Sequence, residues 1–430
     1  MKILAFESSC DETAVAVVED GRTVLSDAIA SQADLHALYG GVVPEIASRK
    51  HVEAIAALTD QALRQAGCEK SDIDAVAVTY APGLIGAVLV GLSFAKSVAF
   101  ALGVPLIPVH HIRGHIAANY LAFPELEPPF LALAISGGNT MIVDVRDYTD
   151  MEILGATRDD AAGECFDKAA RVLGLPYPGG APMDALARQS PGGVYTLPHA
   201  HVDGAELDMS FSGLKTAVVN LAHHAQQVGE SLDRAALARD FAQAVSDTLV
   251  PRAMEAAKQT GRTVLCAAGG VAANSVIRED LRRACEAADI RLYLPPLKLC
   301  GDNGAMIGAQ GYYEYLAGIK NAEGSAGLEK IELKPWLISG LEFVDASYKS
   351  VKGLIKSSWV KKGNTFEWGI TIPANTTAVV YIPANGEDKI KINGEPSVSM
   401  VENTQFISYE KGYLVYEFGS GSYNIVAMKE

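Results

Sequence analysis

The sequence predicts an α/β protein made of two similar halves, followed by a separate all-β sandwich. Three observations predict it. Up to about residue 318, short apolar runs alternate with long helical patterns. That rhythm occurs twice. Beyond a break in composition near 318–328, only strand-like runs remain.

In the first half, KILAFES (2–8) and TAVAVVED (13–20) read as strands turning at Asp20-Gly21, and a helix is expected from about Pro44 to Ala66. A further strand, VPLIPV (104–109), gives way to a helix at HHIRGH (110–115). The second half repeats the grammar with FLALAIS (130–136), MIVDV (141–145) and a helix around 161–173, then TVLCAAGG (263–270) and a helix around 274–287. Two similar halves facing one cleft are expected. The chain then changes character: residues 1–330 hold all 16 arginines, all nine histidines and all six cysteines, whereas 331–430 hold ten lysines, no arginine and all three tryptophans. The small, polar stretch NAEGSAG (321–327) suits a junction. The expected domains are 1–115 and 116–320 for the two α/β halves, 321–330 for the junction, and 331–430 for the sandwich. There, TFEWGITI, TAVVYIP, QFISYE, LVYEF and YNIVAM are separated by Asn-Gly, Lys-Gly and Ser-Gly turns, so antiparallel strands are expected.

Composition limits the function classes. With 49% hydrophobic and 20% charged residues and no low-complexity tract, the chain is expected to be globular rather than disordered. The amino terminus reaches acidic residues before an apolar core of signal-peptide length, and no 18 consecutive apolar residues occur, so a cytoplasmic protein without membrane contact is expected. Six singly spread cysteines without a C-x-x-C suggest neither a disulfide framework nor structural zinc. A net charge of −15 argues against a general nucleic-acid binder, and any RNA contact must be local or shared with partners.

His111 and His115 stand four apart, on one helix face, and can both reach one metal ion. Packing or capping is the competing role. Metalloprotease chemistry needs a glutamate after the first histidine, and Ile112 stands there. Three glycine-bearing turns follow strands: ISGGNT (135–140), AAGGVAAN (267–274) and CGDNGAM (300–306), the last two opening helices. Such turns can cradle phosphate with backbone N–H groups, though none matches the Rossmann or Walker patterns. Carboxylates gather at similar junctions: Asp11, Glu12, Glu164, Asp167, Asp184 and Asp302. Helix capping accounts for most such residues, but one of them could complete a metal site with the two histidines, and Asp302 is the candidate.

Taken together, FESSCDET, PEIASRKH, HHIRGH, ISGGNT, GECFDKAARVLGLPYPGG, FSGLKTA, GGVAAN and GDNGAMIG resemble the catalytic subunit of the tRNA N6-adenosine threonylcarbamoyltransferase family, formerly labelled O-sialoglycoprotein endopeptidase, over residues 1 to about 318. The resemblance implies the actin-like ATPase fold, with two α/β subdomains clasping a nucleotide. It implies that His111, His115 and Asp302 ligate one divalent metal, Fe2+ or alternatively Zn2+. It implies that Ile135, Ser136, Gly137, Gly138, Asn139, Asp167, Gly180, Asp184 and Asn274 hold the adenylate, while Asp11 and Glu12, on the first phosphate-side turn, are the candidate catalytic carboxylates. Bacterial relatives commonly have histidine at the position of Asn139. The implied reaction moves threonylcarbamoyl from threonylcarbamoyl-AMP to N6 of the adenosine 3′ to the anticodon (position 37) of tRNAs reading codons that begin with A, releasing AMP. ATP or ADP would fit the same cleft. The implied partners are the tRNA, an inactive paralogous subunit docking on the helix 44–66, and a small ATPase. Arg49, Lys50 and His51 on that helix could touch tRNA or form its solvated face.

Residues from about 325 resemble the C-terminal β-sandwich of bacterial α-L-rhamnosidases, but the helical barrel that carries the carboxylates of those enzymes is missing, so no glycosidase activity is expected. Trp336, Trp359 and Trp368 could stack on sugars or pack in a core. Two other readings of the first 318 residues stand beside the transferase: an inactive nucleotide-binding scaffold, and a carbamoyltransferase acting on a small molecule.

Overall fold

In a computed structural model describing all residues except 199–201, 203–204, 320–329, 336, 338–339, 351–352, 375, 385–388, 396–403, 411 and 429–430, the amino-terminal unit (Met1–Gly324) is built twice on one plan. Strand β1 (Lys2–Glu7) pairs antiparallel with β2 (Glu12–Glu19), and β2 with β3 (Thr23–Ser31). On its other side β1 runs parallel to β4 (Ala75–Ala81), and β4 to β5 (Leu106–His110). The second sheet repeats this order with β6 (Phe130–Ile135), β7 (Thr140–Val145), β8 (Met151–Ala156), β9 (Val264–Ala268) and β10 (Arg291–Tyr293). In both, the first hairpin is antiparallel and the later strands are added in parallel.

Helices α1 (Ala33–Ala37), α2 (Pro44–Ala66) and α3 (Ile85–Leu102) belong to the first lobe, and α4 (His111–Ala122) leads out of it. The second lobe carries α5 (Ala162–Val172), α6 (Gly180–Ala187), α7 (Ser212–Val228), α8 (Arg234–Thr260) and α9 (Ser275–Ala287), and α10 (Gly304–Leu316) follows. Strand periodicity sorts the cores. In β1, Leu4 and Phe6 pack with Ile55 and Leu58 of α2 and Ala95 of α3, whereas Ile3 and Ala5 face Met306 and Ile307 of α10. In β6, Leu131 and Leu133 face the α5–α9 layer while Phe130 and Ala132 meet Ile116, Ala117 and Tyr120 of α4. Helices α4 and α10 are therefore held between the two sheets. Close approach is needed there: a Cβ on Gly308 would lie 2.6 Å from Val18, and one on Gly311 2.7 Å from Ala77.

Local chemistry explains the element ends. Asp20 (φ 50°) and Gly21 (φ 66°) make the left-handed pair of a tight hairpin, closed by Arg22 N–H donating to the Glu19 carbonyl. Helix α2 starts on Pro44 and stops at Gly67 (φ 62°), whose successor Cys68 donates back to Leu63.

The second unit, Ser325–Glu430, is all β. One sheet joins β11 (Lys330–Leu333), β15 (Thr377–Pro383), β18 (Tyr413–Phe418) and β17 (Thr404–Glu410); the other joins β12 (Phe343–Ser350), β13 (Gly353–Lys362), β14 (Thr365–Ile372), β19 (Gly421–Met428) and β16 (Lys389–Ile392). All described pairings are antiparallel except β11 with β15, whose connection runs through β12–β14 and is long enough for a parallel pair. Trp359 and Trp368 face each other across β13 and β14, 4% and 1% exposed, so both are core residues and offer no sugar platform. Trp336 lies outside the described residues.

Candidate metal and nucleotide site

Helix α4 begins at His111 immediately after β5, and α10 begins at Gly304 two residues after Asp302. Both helix N-termini thus open beside the same three side chains. No side chain caps α4, which leaves its first N–H groups free for an anion; at α10, Asn303 Oδ1 accepts from Met306 N–H and Asp27 from Gly304 N–H.

His111, His115 and Asp302 each bring a ligand atom to within 4.8 Å of the others. His111 Nε2 lies 3.6 Å and His115 Nε2 3.1 Å from Asp302 Oδ1, yet neither ring nitrogen of the buried His115 makes a hydrogen bond. A buried imidazole nitrogen facing a carboxylate without donating to it is what a ligand aimed at a shared cation looks like. Two imidazoles and a carboxylate fit iron or zinc. The electrostatics agree. Burial alone would raise the Asp302 carboxyl, but His111 and His115 outweigh it and hold it at about 2. Burial alone would lower His111, but Glu7 and Asp302 push it up to about 9, so the carboxylates call for positive charge on that ring.

Glu7 was not legible as a site residue. It ends β1 at 1% exposure, receives His111 Nδ1 at 3.0 Å, Thr79 Oγ1 at 2.5 Å and Ser9 N–H at 2.5 Å. Its partner is 104 residues away, brought close through β4 and β5. A carboxylate ending the first strand beside the Ser-Ser turn was the only sequence signal available.

Asp11 ends the β1–β2 turn and Glu12 opens β2. Burial first, then the Asp11 and Asp302 charges, push Glu12 up to about 9, and Ser31 Oγ donates to it at 3.1 Å. Asp167, on α5 of the other lobe, is raised by burial and by the charge of Asp11, so the two lobes present carboxylates to one cleft. Asp167 Oδ1 accepts from Gly179 N–H at 2.7 Å, just before Gly180 opens α6. Farther along α6, Asp184 accepts from Ser275 N–H at 2.8 Å and from Ser275 Oγ at 2.6 Å, while Asn274 Oδ1 caps α9 at Val276 and Ile277. Asp184 and Asn274 thus meet at the start of α9, which occupies Asp184 Oδ1 and Asn274 Oδ1, while Arg188 pairs with Asp184 Oδ2.

Ile135 ends β6, and Ser136 to Asn139 form the β6–β7 turn, the counterpart of the Asp11 turn in the duplicated plan. The Asn139 carbonyl accepts from Ser136 N–H at 2.8 Å, and the Gly137 carbonyl from Glu164 N–H at 3.0 Å. Glycines around these turns divide into two groups. A Cβ on Gly83 would stand 2.6 Å from the Ser9 carbonyl, and one on Gly269 2.5 Å from the Ile135 carbonyl, the same packing in each lobe. At Gly137, Gly138, Gly180, Gly270 and Gly301 a Cβ would meet nothing within 4 Å, and none has a left-handed φ. Neither backbone nor neighbours require glycine there.

His51 corrects the expected solvated face of α2. It is fully buried, with Nε2 donating to the Cys10 carbonyl at 2.9 Å and Thr13 Oγ1 at 2.8 Å from Nδ1, and so it holds the turn that carries Asp11 and Glu12. Spacing could have shown this, since Ala47, His51, Ile55, Leu58 and Ala62 form one stripe.

A family model described as tRNA N6-adenosine threonylcarbamoyltransferase matches residues 23–309. A relative of that name from Moorella thermoacetica is 54% identical over 314 residues, covering 73% of this chain and 92% of the relative. The chain belongs to this family. Another such transferase, from Clostridium botulinum strain 657, is 50% identical over 318 residues, covering 74% of this chain and 94% of its own length. HypF of T. kodakarensis, 16% identical, superposes with a TM-score of 0.52 over 75% of this chain and 49% of that one. With the duplicated sheets, this places the transferase unit in the actin-like ATPase fold. A second family model, described as the bacterial alpha-L-rhamnosidase C-terminal domain, matches residues 318–396.

Proposed function

We propose that this chain transfers threonylcarbamoyl from threonylcarbamoyl-AMP to N6 of adenosine 37 in tRNAs that read codons beginning with A. The observation that carries this reading is the group of buried His111 and His115 with half-buried Asp302 at the starts of α4 and α10, in a chain 54% identical over 314 residues to a transferase of that name. In the reaction a C–N bond forms between N6 and the carbamoyl carbon, the bond from that carbon to the phosphate oxygen breaks, AMP leaves, and the amine loses a proton. The amine is a weak nucleophile, so both substrates must be held in line.

A divalent ion on His111, His115 and Asp302, iron or zinc, would supply Lewis acidity toward a phosphate or carbonyl oxygen. The chain's own groups do the remainder. The N–H groups at the start of α4, which no side chain caps, would stabilise the charge developing on the departing phosphate. The open backbone at Gly137, Gly138 and Gly180, with Ile135, Ser136, Asn139, Asp167, Asp184 and Asn274 around it, would hold the adenylate; ATP or ADP would take the same place. Asp11 and Glu12, side by side at the start of β2, are the carboxylates placed to hold the amine and take up the proton it loses.

The paralogous subunit has a surface to dock on. Val52 of α2 is 63% exposed, and Ile85, Leu89 and Phe100 of α3 are 82%, 53% and 71% exposed, an apolar outer face on helices whose inner faces pack on the first sheet. A small ATPase and the tRNA complete the proposed assembly, and a tRNA substrate argues for the cytoplasm. The test incubates the chain with partners from its own organism, threonine, bicarbonate, ATP and unmodified tRNA, and reads the modified nucleoside by mass spectrometry. Product with the native chain, and at least 100-fold less with Asp302→Ala, is expected. No product with the native chain would favour the scaffold, and product on a small carbamoyl acceptor alone the third reading.

A further inference from the structure

We propose that Glu7 is a positioning residue that sets which nitrogen of His111 is free for the metal, and with it the affinity of the site. The inference rests on the metal reading above. Glu7 is 1% exposed, and both of its carboxylate oxygens are engaged. Oε1 accepts from Ser9 N–H, and Oε2 accepts from Thr79 Oγ1 and from His111 Nδ1. Each of these three hydrogen-bond partners is a donor or can act as one. Ser9 Oγ, 3.2 Å from His111 Nδ1, lies on the same side of the ring. A carboxylate so surrounded keeps the proton of a singly protonated His111 on Nδ1, which leaves the Nε2 lone pair directed at Asp302 and His115. His115 has no such partner on Nδ1, so orientation of the pair depends on the Glu7 side.

The geometry makes the substitution Glu7→Gln unusually informative. With its carbonyl toward His111 and Thr79, the amide N–H2 would face the Ser9 N–H, donor against donor. With the amide reversed, it would donate to His111 Nδ1 and move the ring proton to Nε2, where a metal cannot bind. Either arrangement weakens the site. Glu7→Asp keeps the charge but draws the carboxylate back by one methylene.

The experiment titrates Zn2+ against a chromophoric chelator, and Co2+ by its visible ligand-field bands, with the full chain and with Glu7→Gln, Glu7→Asp and His115→Ala. Circular dichroism and thermal melting of each variant exclude an unfolded sample. The expected result is one metal per native chain, loss of binding in His115→Ala, affinity lowered about 10–100-fold in Glu7→Gln with altered Co2+ bands, and a smaller loss in Glu7→Asp. Should Glu7→Gln fail to fold, long-range proton–nitrogen NMR of 15N-histidine in the native Zn2+-loaded chain reads His111 directly: a proton on Nδ1 with Nε2 on the metal is expected. Binding by Glu7→Gln within twofold of the native chain, or His111 ligating through Nδ1, would overturn the role of Glu7. No binding by the native chain would instead overturn the metal reading itself.

Discussion

Glycine residues around the cleft separate what packing requires from what is left open for a ligand. At Gly163, a Cβ would stand 2.6 Å from the Ser136 carbonyl and 2.7 Å from Gly137 Cα, so this position is needed for α5 to lie on the β6–β7 turn. At Gly138 a Cβ meets nothing within 4 Å and φ is not left-handed, so the fold tolerates a side chain. Gly138→Ala should therefore keep or raise stability, by up to ~1 kcal/mol through the unfolded state, while weakening ADP binding at least tenfold. Gly163→Ala should cost about 1–3 kcal/mol through overpacking. Urea denaturation and ADP titration of both variants check this. A Gly138→Ala chain that binds ADP normally would remove that turn from the proposed cradle.

At the scale of elements, the start of α10 makes the stability of the fold depend on pH. Asp27, on β3, accepts from Gly304 N–H at 3.0 Å, and burial pushes its carboxyl from 3.8 up to about 6 despite that bond. A raised folded-state pKa means that the folded chain binds the proton more tightly than the unfolded chain. Its contribution is complete below about 4 and is lost as pH rises through about 6, with a slope of at most ~1.4 kcal/mol per pH unit. Urea midpoints measured across this window should fall with rising pH, and Asp27→Asn, which keeps an acceptor for Gly304, should flatten that fall. An equally steep fall in the variant would assign it elsewhere. Helix α2 shows the same dependence of site on scaffold, since His51 in its apolar stripe holds the Asp11 turn from below.

For the whole molecule, α4 and α10 form the packed layer between the two sheets, with Arg22 donating to Tyr148 Oη and Arg171 to the Gly40 carbonyl as further links between the lobes. The last helix of the transferase unit packs on the first sheet, where Met306 and Ile307 meet Ile3, Ala5, Ala77, Ile107 and Val109. The β unit has its own core around Trp359, Phe366, Trp368, Val380 and Phe418. A chain ended after Ile319 should accordingly melt cooperatively and bind Zn2+ like the full chain, whereas one ended after Asn303, which retains Asp302, should do neither, because the inner face of the first sheet loses its cover. Calorimetry and chelator competition on both truncations decide it; Zn2+ binding by the shorter one would show that α10 is dispensable for the site.

Locally repeated signals were legible without a fold: the helix 44–66, the hairpin at Asp20-Gly21, and His111 and His115 one helical turn apart. Each is written within a few residues, where backbone geometry sets the spacing. The motif set, in order along the first 318 residues, carried the family resemblance that the 54% identical relative bears out. Glu7 and the burial of His51 belong to the tertiary structure. Glu7 meets His111 across 104 residues because β1, β4 and β5 run parallel and end at one edge, and His51 is covered because α2 turns that stripe toward the Cys10–Thr13 turn. The sequence by itself determined the donors and their local spacing. Only the packing of strand ends and helix starts against one another decided which carboxylate lies behind a histidine, because that proximity is a property of the sheet order and not of any stretch of chain.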